Sequence, residues 1–587
     1  MKNFLKVLTM IQKKRKNFLL LVAIQSLIGG LLPLLNVIIP KLIVDELLSE
    51  KRIEILLLMI GVLALSNWIK TVVVSYTTLK IDRTVTLIWL ELQMDLVEKM
   101  NNLPIEVSET KTNQDELEKA MFGLEYFPSL SETIEHVGIS LITLVSLFIV
   151  LIPFGILIPI GIVVSSMLLI PLLNKQKYLE EDNANRSQPE HRIYRYFLDL
   201  ATDYRYSKDF KLFLGDKLMM KKAKTTMDNI LKINHEYFTK NGILEGLKSI
   251  IMQIQIVAAL IYLALKYIGG ALTVGNFILL LNATRSFQEN IMKLLGKTNS
   301  IITMNLLFDP MIRYLKNEYK EDVQLASVKI DSNDFNLEFK NVDFSYPNSD
   351  HKILKDCSFS INKGERIAIV GRNGAGKSTI IKLICRFYKP TSGTITLNGV
   401  NIQDINIQDY YDLLSVTFQD FRLFPFKINE NIAGIEEDNF SEGDRNRITN
   451  SLEMMQINDW VDTLPQKSET HISKLFSEDG LLFSGGQSQK IALARSIAHG
   501  GQFVIMDEPT AALDPKSEEE IFKYMLSLTK GKTSLFISHR LSSTRYADRI
   551  LVCDLGKITE TGNHFELMQH RGLYQKMFET QASQYVD

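Results

Sequence analysis

Two short stretches in the second half of the chain carry residue types suited to phosphate chemistry. The first is Gly371, Arg372, Asn373, Gly374, Ala375, Gly376, Lys377, Ser378 and Thr379, which follows the apolar run 367–370 and precedes the helix-like run 380–384. Glycines let backbone N–H groups curl round an anion, and the start of the following helix adds the positive end of its dipole. In this strand–loop–helix setting Lys377 is suited to the β- and γ-phosphates and the Ser378 hydroxyl to Mg²⁺. The second stretch is Phe503-Val-Ile-Met-Asp507-Glu508. Its apolar residues predict a buried strand whose C-terminal end, where open α/β sheets bind ligands, presents two carboxylates. Asp507 is placed to hold Mg²⁺ through water. Glu508 is placed to polarise or position the water that attacks a γ-phosphate.

A phosphate loop and an acidic strand end leave many ATPase families open. The stretch Phe483, Ser484, Gly485, Gly486 and Gln487, shortly before Asp507, narrows them. It resembles the Leu-Ser-Gly-Gly-Gln signature of the ATP-binding cassette superfamily, with Phe in the first place. The resemblance implies that these residues contact the γ-phosphate of ATP held on an opposing cassette, a task that suits a hydroxyl and a helix N-terminus. It also implies further roles, in the family's order along the chain. Tyr346 resembles the aromatic that stacks on adenine, and Gln419 the glutamine that senses Mg²⁺. Asp514, in Ala512-Leu-Asp514, resembles the loop that crosses the dimer interface, and His539 the switch histidine at the γ-phosphate. One element departs from many exporters: Lys474-Leu-Phe-Ser-Glu478-Asp-Gly480 stands where an acidic Thr-Glu-Val-Gly-Glu-type stretch is common, so coupling to the membrane part is expected to differ in detail.

The elements that must position these residues divide the chain. Of 587 residues, 46% are apolar and 23% charged, an average that hides two unlike halves. Six apolar stretches, near 17–40, 55–78, 134–153, 155–174, 247–268 and 273–294, approach the about 20 residues a membrane helix needs. The run after Lys13–Lys16 is too long for a signal-peptide core and reads as the first span. Short turns join the third span to the fourth, around Pro153–Gly155, and the fifth to the sixth, at Gly269-Gly270. Long polar stretches follow the second and fourth spans, turning near 106–114 and 208–215. Their Lys and Arg content, with the basic cluster at 13–16, predicts that they and both termini are cytoplasmic. Residues 1–317 are thus expected to form the membrane domain, 318–333 a charged linker and 334–587 the cassette. The formal net charge of -1 argues against a nucleic-acid partner. The three cysteines sit in apolar surroundings at spacings that suit neither zinc nor a disulfide framework.

Six spans, two long cytoplasmic excursions and a C-terminal cassette resemble the bacterial exporter branch of the superfamily, including multidrug and peptide exporters. The expected fold is a six-helix exporter membrane domain joined to an α/β P-loop cassette with a helical subdomain. The resemblance implies a half-transporter in the cell membrane, using ATP and Mg²⁺, paired with an identical or different second half. Peptide, lipid and amphipathic small molecules all stay open as cargo. Polar span residues (Gln25, Asn36, Asn67, Gln253, Gln255, Asn282, Arg285) mark either a pathway or contacts between helices. The alternative function is an ATP-gated pore or regulator that does not pump.

Overall fold

The computed structural model describes residues 1–587 apart from 155–156, 204–205, 214, 317–334, 348, 509–530, 539 and 584–587. The expected linker at 318–333 and the turn at Gly155 therefore lie outside the described residues, in whole or in part. Contacts group the chain into two compact units: Met1–Asn102 with Gln114–Asn317, and Leu103–Asn113 with Glu318–Asp587. The expected cytoplasmic turn near 106–114 thus falls largely within the second unit.

The first unit is helical: α1 (Lys2–Lys14), α2 (Phe18–Leu31), α3 (Leu35–Leu48) and α4 (Ile53–Asn101), then, after the short α5 (Ile105–Ser108) of the second unit, α6 (Lys111–Glu125) and α7 (Ser129–Leu151). The chain continues through α8 (Leu157–Met167), α9 (Ile170–Thr202), α10 (Ser207–Phe213), α11 (Gly215–Ile268) and α12 (Val274–Lys316). At 1.5 Å per residue, the 49-residue α4 and 54-residue α11 are about 74 and 81 Å long, more than twice a hydrocarbon core. The polar stretches after the second span and before the fifth are therefore continuations of membrane-length helices, as the scarcity of Gly and Pro in them implies.

Six spans were expected, but only four described helices are long and apolar enough by themselves: Phe18–Leu48, Ile53–Asn101, Ser129–Phe154 and Gly215–Ile268. A fifth arises if Pro159–Met167 and Ile170–Thr202, bent by 41° at their break, form one span. The sixth stretch is helical within α12 but does not reach that apolarity, because Asn276, Asn282, Arg285, Gln288 and Glu289 interrupt it.

Helices α2 and α7 approach closely through glycine. A Cβ on Gly30 would stand 2.7 Å from Ile142 Cβ, and one on Gly138 2.0 Å from Ser26 Oγ. Small residues let membrane helices pack backbone to backbone, and the Thr143 hydroxyl completes the contact by donating to the Gly30 carbonyl at 3.2 Å. Most of the polar span residues also serve packing. Gln25 donates to Thr78 (2.7 Å), Asn36 and Asn67 pair reciprocally (3.1 and 2.8 Å), and Gln288 donates to Gln255 (2.9 Å). Arg285 is different: its side chain is 72% exposed and pairs along its own helix with Glu289 at 3.3 Å.

The second unit is an α/β cassette. Strands β1 (Asn336–Ser345), β2 (Lys352–Asn362), β4 (Ser392–Leu397) and β5 (Val400–Asn401) form an antiparallel sheet in the order β2-β1-β4-β5. A six-stranded sheet runs β10-β9-β3-β8-β7-β6, with β3 (Arg366–Gly371), β6 (Leu414–Thr417), β7 (Phe503–Asp507), β8 (Thr533–Ile537), β9 (Arg549–Asp554) and β10 (Lys557–Gly562). It is parallel except where β10 pairs with β9. Its central strands are continuous apolar runs because both faces are covered; Ile367, Ala368, Ile369 and Val370 are wholly buried. Helix α13 (Lys377–Ile384) follows β3, and α14 (Ile407–Asp412) precedes β6. A helical subdomain of α15 (Ile428–Ala433), α16 (Glu442–Met454), α17 (Asn458–Asp462) and α18 (Gly485–His499) is inserted between β6 and β7. The three cysteines are buried and unpaired, and burial pushes the Cys553 thiol up to about 11.

The α2–α7 contact yields a direct test. Gly30→Leu should cost about 1–3 kcal/mol by overpacking, lowering the thermal midpoint of the purified chain. Gly61→Leu, at a position with open space around it, should leave the midpoint unchanged.

Candidate functional site

The phosphate loop connects the central strand β3 to α13, and its backbone dictates its composition. A Cβ on Gly371 would lie 2.0 Å from the Cys553 carbonyl of β9, so only glycine permits that approach. Gly376 has φ +104, where a side chain is strained, and its Cβ would meet Leu354 at 2.7 Å. Lys377 opens α13 and is buried, with Nζ donating to the carbonyls of Gly371 and Arg372 at 3.0 Å each. Desolvation holds its pKa below the usual lysine range, opposed by the nearby carboxylates of Glu508 and Asp507.

Asp507 ends β7, two strands from β3 in the sheet, and is 6% exposed. Ser378 Oγ donates to Asp507 Oδ1 at 3.4 Å. Burial raises the carboxyl pKa above its ordinary value, and the neighbouring Glu508 adds to the rise. Glu508 itself has φ +48, a left-handed conformation that non-glycine residues adopt at a cost and that clusters at functional sites. Its carboxylate accepts a hydrogen bond from Gln419 Nε2 at 2.8 Å, reaching across from the segment after β6. Tyr346, Asn373, Gly374, Gly376, Lys377, Ser378, Thr379, Gln419 and Glu508 line one cavity of about 610 Å³ together with Ile353. The cavity opens where the parallel strands end, the usual ligand position of such sheets.

The Tyr346 hydroxyl lies 3.2 Å from Thr379 Oγ1, so its ring is tied to the start of α13. Arg372 and Ala375 belong to the same loop but do not line the cavity. Ser484, Gly485, Gly486 and Gln487 do not line it either. They begin α18, where Ser484 Oγ accepts from Gln487 N–H (3.3 Å) and Gln487 Oε1 accepts from Ser484 N–H (2.9 Å), a capping box. Phe483 packs edge-on against Trp460, with centroids 5.1 Å apart, which accounts physically for an aromatic in the signature's first place. Asp514 and His539 lie outside the described residues.

Lys474–Gly480 is a tight excursion: Ser473 N–H donates to the Leu481 carbonyl at 2.8 Å, and a Cβ on Gly480 would meet the Ser473 carbonyl at 1.9 Å. It exposes Leu475 and Phe476, and Phe476 stacks on Phe426 at 5.9 Å. The stretch thus exposes apolar and aromatic side chains beside the acids Glu478 and Asp479.

Comparison with known proteins agrees with this geometry. The family model described as "ABC transporter" matches residues 354–511. That match spans about a quarter of the chain. The chain is 28% identical over 571 residues to the subtilin transport ATP-binding protein SpaT of Bacillus subtilis, covering 95% of this chain and 90% of that protein. It is 35% identical over 320 residues to the ATP-dependent lipid A-core flippase of Pseudomonas syringae, spanning 54% of this chain and about half (52%) of the flippase. Its fold matches a bacterial Atm1-family ABC exporter with ATP bound at a TM-score of 0.81, with 22% identity, over 97% of this chain and 98% of that one.

Sequence reasoning did not find Ile353, which lines the cavity from β2, or the contacts of Tyr388 with Tyr346 and with Glu109. Nothing local in Arg386-Phe-Tyr388-Lys-Pro390 signals them, because the partners are distant in sequence.

Burial of the Asp507 charge makes a further prediction. An acid whose folded pKa is raised costs stability at every pH above its unfolded value, so removing the charge relieves that cost. Asp507→Asn should raise the thermal midpoint of the protein measured without nucleotide or Mg²⁺, and should abolish Mg²⁺-dependent ATP turnover. A lowered midpoint would contradict the assignment of a desolvation cost to this carboxylate.

Proposed function

We propose that the chain is one half of an ATP-driven exporter, its residues 1–317 forming the membrane domain, 318–333 the linker and 334–587 the cassette. The observation that carries this reading is the convergence of the phosphate loop and the Gln419–Glu508 pair on one cavity, with Asp507 bonded to its lining residue Ser378, in a chain that also holds membrane-length helices. Lys377 binds the β- and γ-phosphates within the glycine-lined curl. Tyr346 stacks on the adenine, and Arg372, Asn373, Gly374, Ala375, Gly376 and Thr379 complete the nucleotide's cradle. Glu508 and His539 orient the attacking water and hold its proton, with Gln419 fixing the Glu508 carboxylate. Ser484–Gln487 and Asp514 act across the interface on nucleotide held by a second half, identical or different.

The donor set suits Mg²⁺: a buried carboxylate beside a hydroxyl, both hard oxygen ligands, with Gln419 near. Among the described residues no cluster of three or more His, Cys, Asp or Glu side chains could hold a metal by itself. That fits an ion bound by few protein oxygens together with phosphates. Ser378, Asp507 and Gln419 would hold it, and bound Mg²⁺ would neutralise charge building on the transferred phosphoryl group.

Nucleotide closes two cassettes and hydrolysis releases them, so the cytoplasmic ends of the helices alternate between inward- and outward-facing arrangements in the cell membrane, with both termini cytoplasmic. A peptide is the favoured cargo, because the relative aligned along nearly the whole chain is a subtilin transport protein. A lipid is the second reading, supported by flippases over about half their length.

The test is ATP turnover by the chain in lipid. Glu508→Gln should reduce turnover at least about a hundredfold while ATP binding persists, and should stop cargo accumulation in inside-out vesicles. Downhill passage of cargo with ATP bound and unhydrolysed would instead identify a gated pore.

A further inference from the structure

The turn between α4 and α6 is tied to the nucleotide cavity by a continuous set of contacts. Ile105, in α5, packs on the cassette's core, and the Glu106 carboxylate accepts from the Lys389 N–H at 3.5 Å. Glu109 follows α5, and its Oε2 accepts from the Tyr388 hydroxyl at 2.5 Å. Tyr388 is buried (3% exposed), so an unpartnered hydroxyl there would be costly. Its ring meets Tyr346 edge-on, with centroids 5.2 Å apart and planes at 89°. Phe344 meets both rings, at 5.0 Å from Tyr346 and 5.6 Å from Tyr388, and Lys382 Nζ lies over both faces at 5.3 and 5.9 Å. Tyr346 then closes the chain of contacts on Thr379, in the phosphate loop.

We propose that Glu109 is a positioning residue of the nucleotide site. Through Tyr388 it fixes the angle of the Tyr346 ring, so a residue of the cytoplasmic turn tunes the affinity for a purine base without touching the nucleotide. The inference rests on the reading of Tyr346 as the base-stacking aromatic. Tyr388 and Phe344 both meet the Tyr346 ring at steep angles, so together they set its orientation. Tyr388 is anchored by both polarity and shape: its hydroxyl on a carboxylate, its ring against Tyr346. Binding linkage is reciprocal, so a base seated on Tyr346 stabilises the turn by the same factor.

The experiment measures equilibrium binding of Mg²⁺-ATP, and of Mg²⁺-tripolyphosphate, which lacks a base, to the full chain in lipid nanodiscs. A Glu508→Gln background prevents turnover. Glu109→Ala and Tyr388→Phe should each weaken ATP binding by about fivefold or more, with tripolyphosphate changed by less than about twofold. Glu109→Gln, which keeps an acceptor, should restore most of the affinity. The double variant Glu109→Ala/Tyr388→Phe should be no weaker than either single one, because both remove one interaction. Equal weakening of both ligands would show a merely structural contact and overturn the inference, as would ATP binding unaltered in both variants. If the parent chain binds tripolyphosphate and ATP equally, the stacking role of Tyr346 fails; if it binds neither, the nucleotide reading itself fails, and the inference falls with either.

Discussion

The cassette is organised around a charge that the fold keeps dry. Asp507 stands at the end of an apolar strand, 6% exposed, with one hydroxyl on its carboxylate and Lys377 close enough to act on it electrostatically. The same burial pulls the two groups toward neutrality from opposite sides, raising the acid and lowering the base. Two buried opposite charges near one another are weak evidence for stability, because desolvation offsets much of the attraction. Their value lies in what they can accept: a polyphosphate for the lysine and a divalent cation for the carboxylate, each stronger where water is scarce. Much nearby follows from holding this pair. Gly371 must be glycine for β3 to run against β9, Gly376 must turn to aim α13, and Glu508 must take a left-handed backbone to leave β7.

The first unit answers to a different solvent. Helices of 49 and 54 residues keep their backbone groups satisfied within themselves, as hydrocarbon requires, and they continue far beyond it. Their side chains are joined by glycine contacts and by amide and hydroxyl bonds such as Gln25 to Thr78. Arg285 has no such interhelical bond among those described; its partner is Glu289 on its own helix. It leaves the strongest polar feature on α12, the helix too polar to pass as a span by apolarity alone.

How much of this was legible in the sequence depends on how local each feature is. The phosphate loop, the acidic strand end and the start of α18 were readable because backbone geometry within a few residues dictates them. Gln419 was placed by its order along the chain, and its bond to Glu508 needed the sheet to bring β6 beside β7. The sixth apolar stretch lies in α12, where Arg285, Gln288 and Glu289 keep it below the apolarity that marks a span by composition alone. The polar span residues could not be sorted between pathway and packing, since that depends on which helix faces which. The link from Glu109 through Tyr388 to Tyr346 was invisible: it joins residues 109, 388 and 346, and a tyrosine alone says nothing of its partners.

The claim on which the rest depends is that the site is completed by the signature of a second chain, and cross-linking tests it directly. The native cysteines are buried, so a chain carrying Asn373→Cys and Ser484→Cys can be oxidised selectively in lipid. A disulfide between two chains that forms with Mg²⁺-ATP and not without it is the predicted result. No linked pair would exclude an identical second half, and oxidation indifferent to nucleotide would contradict a nucleotide held between two chains.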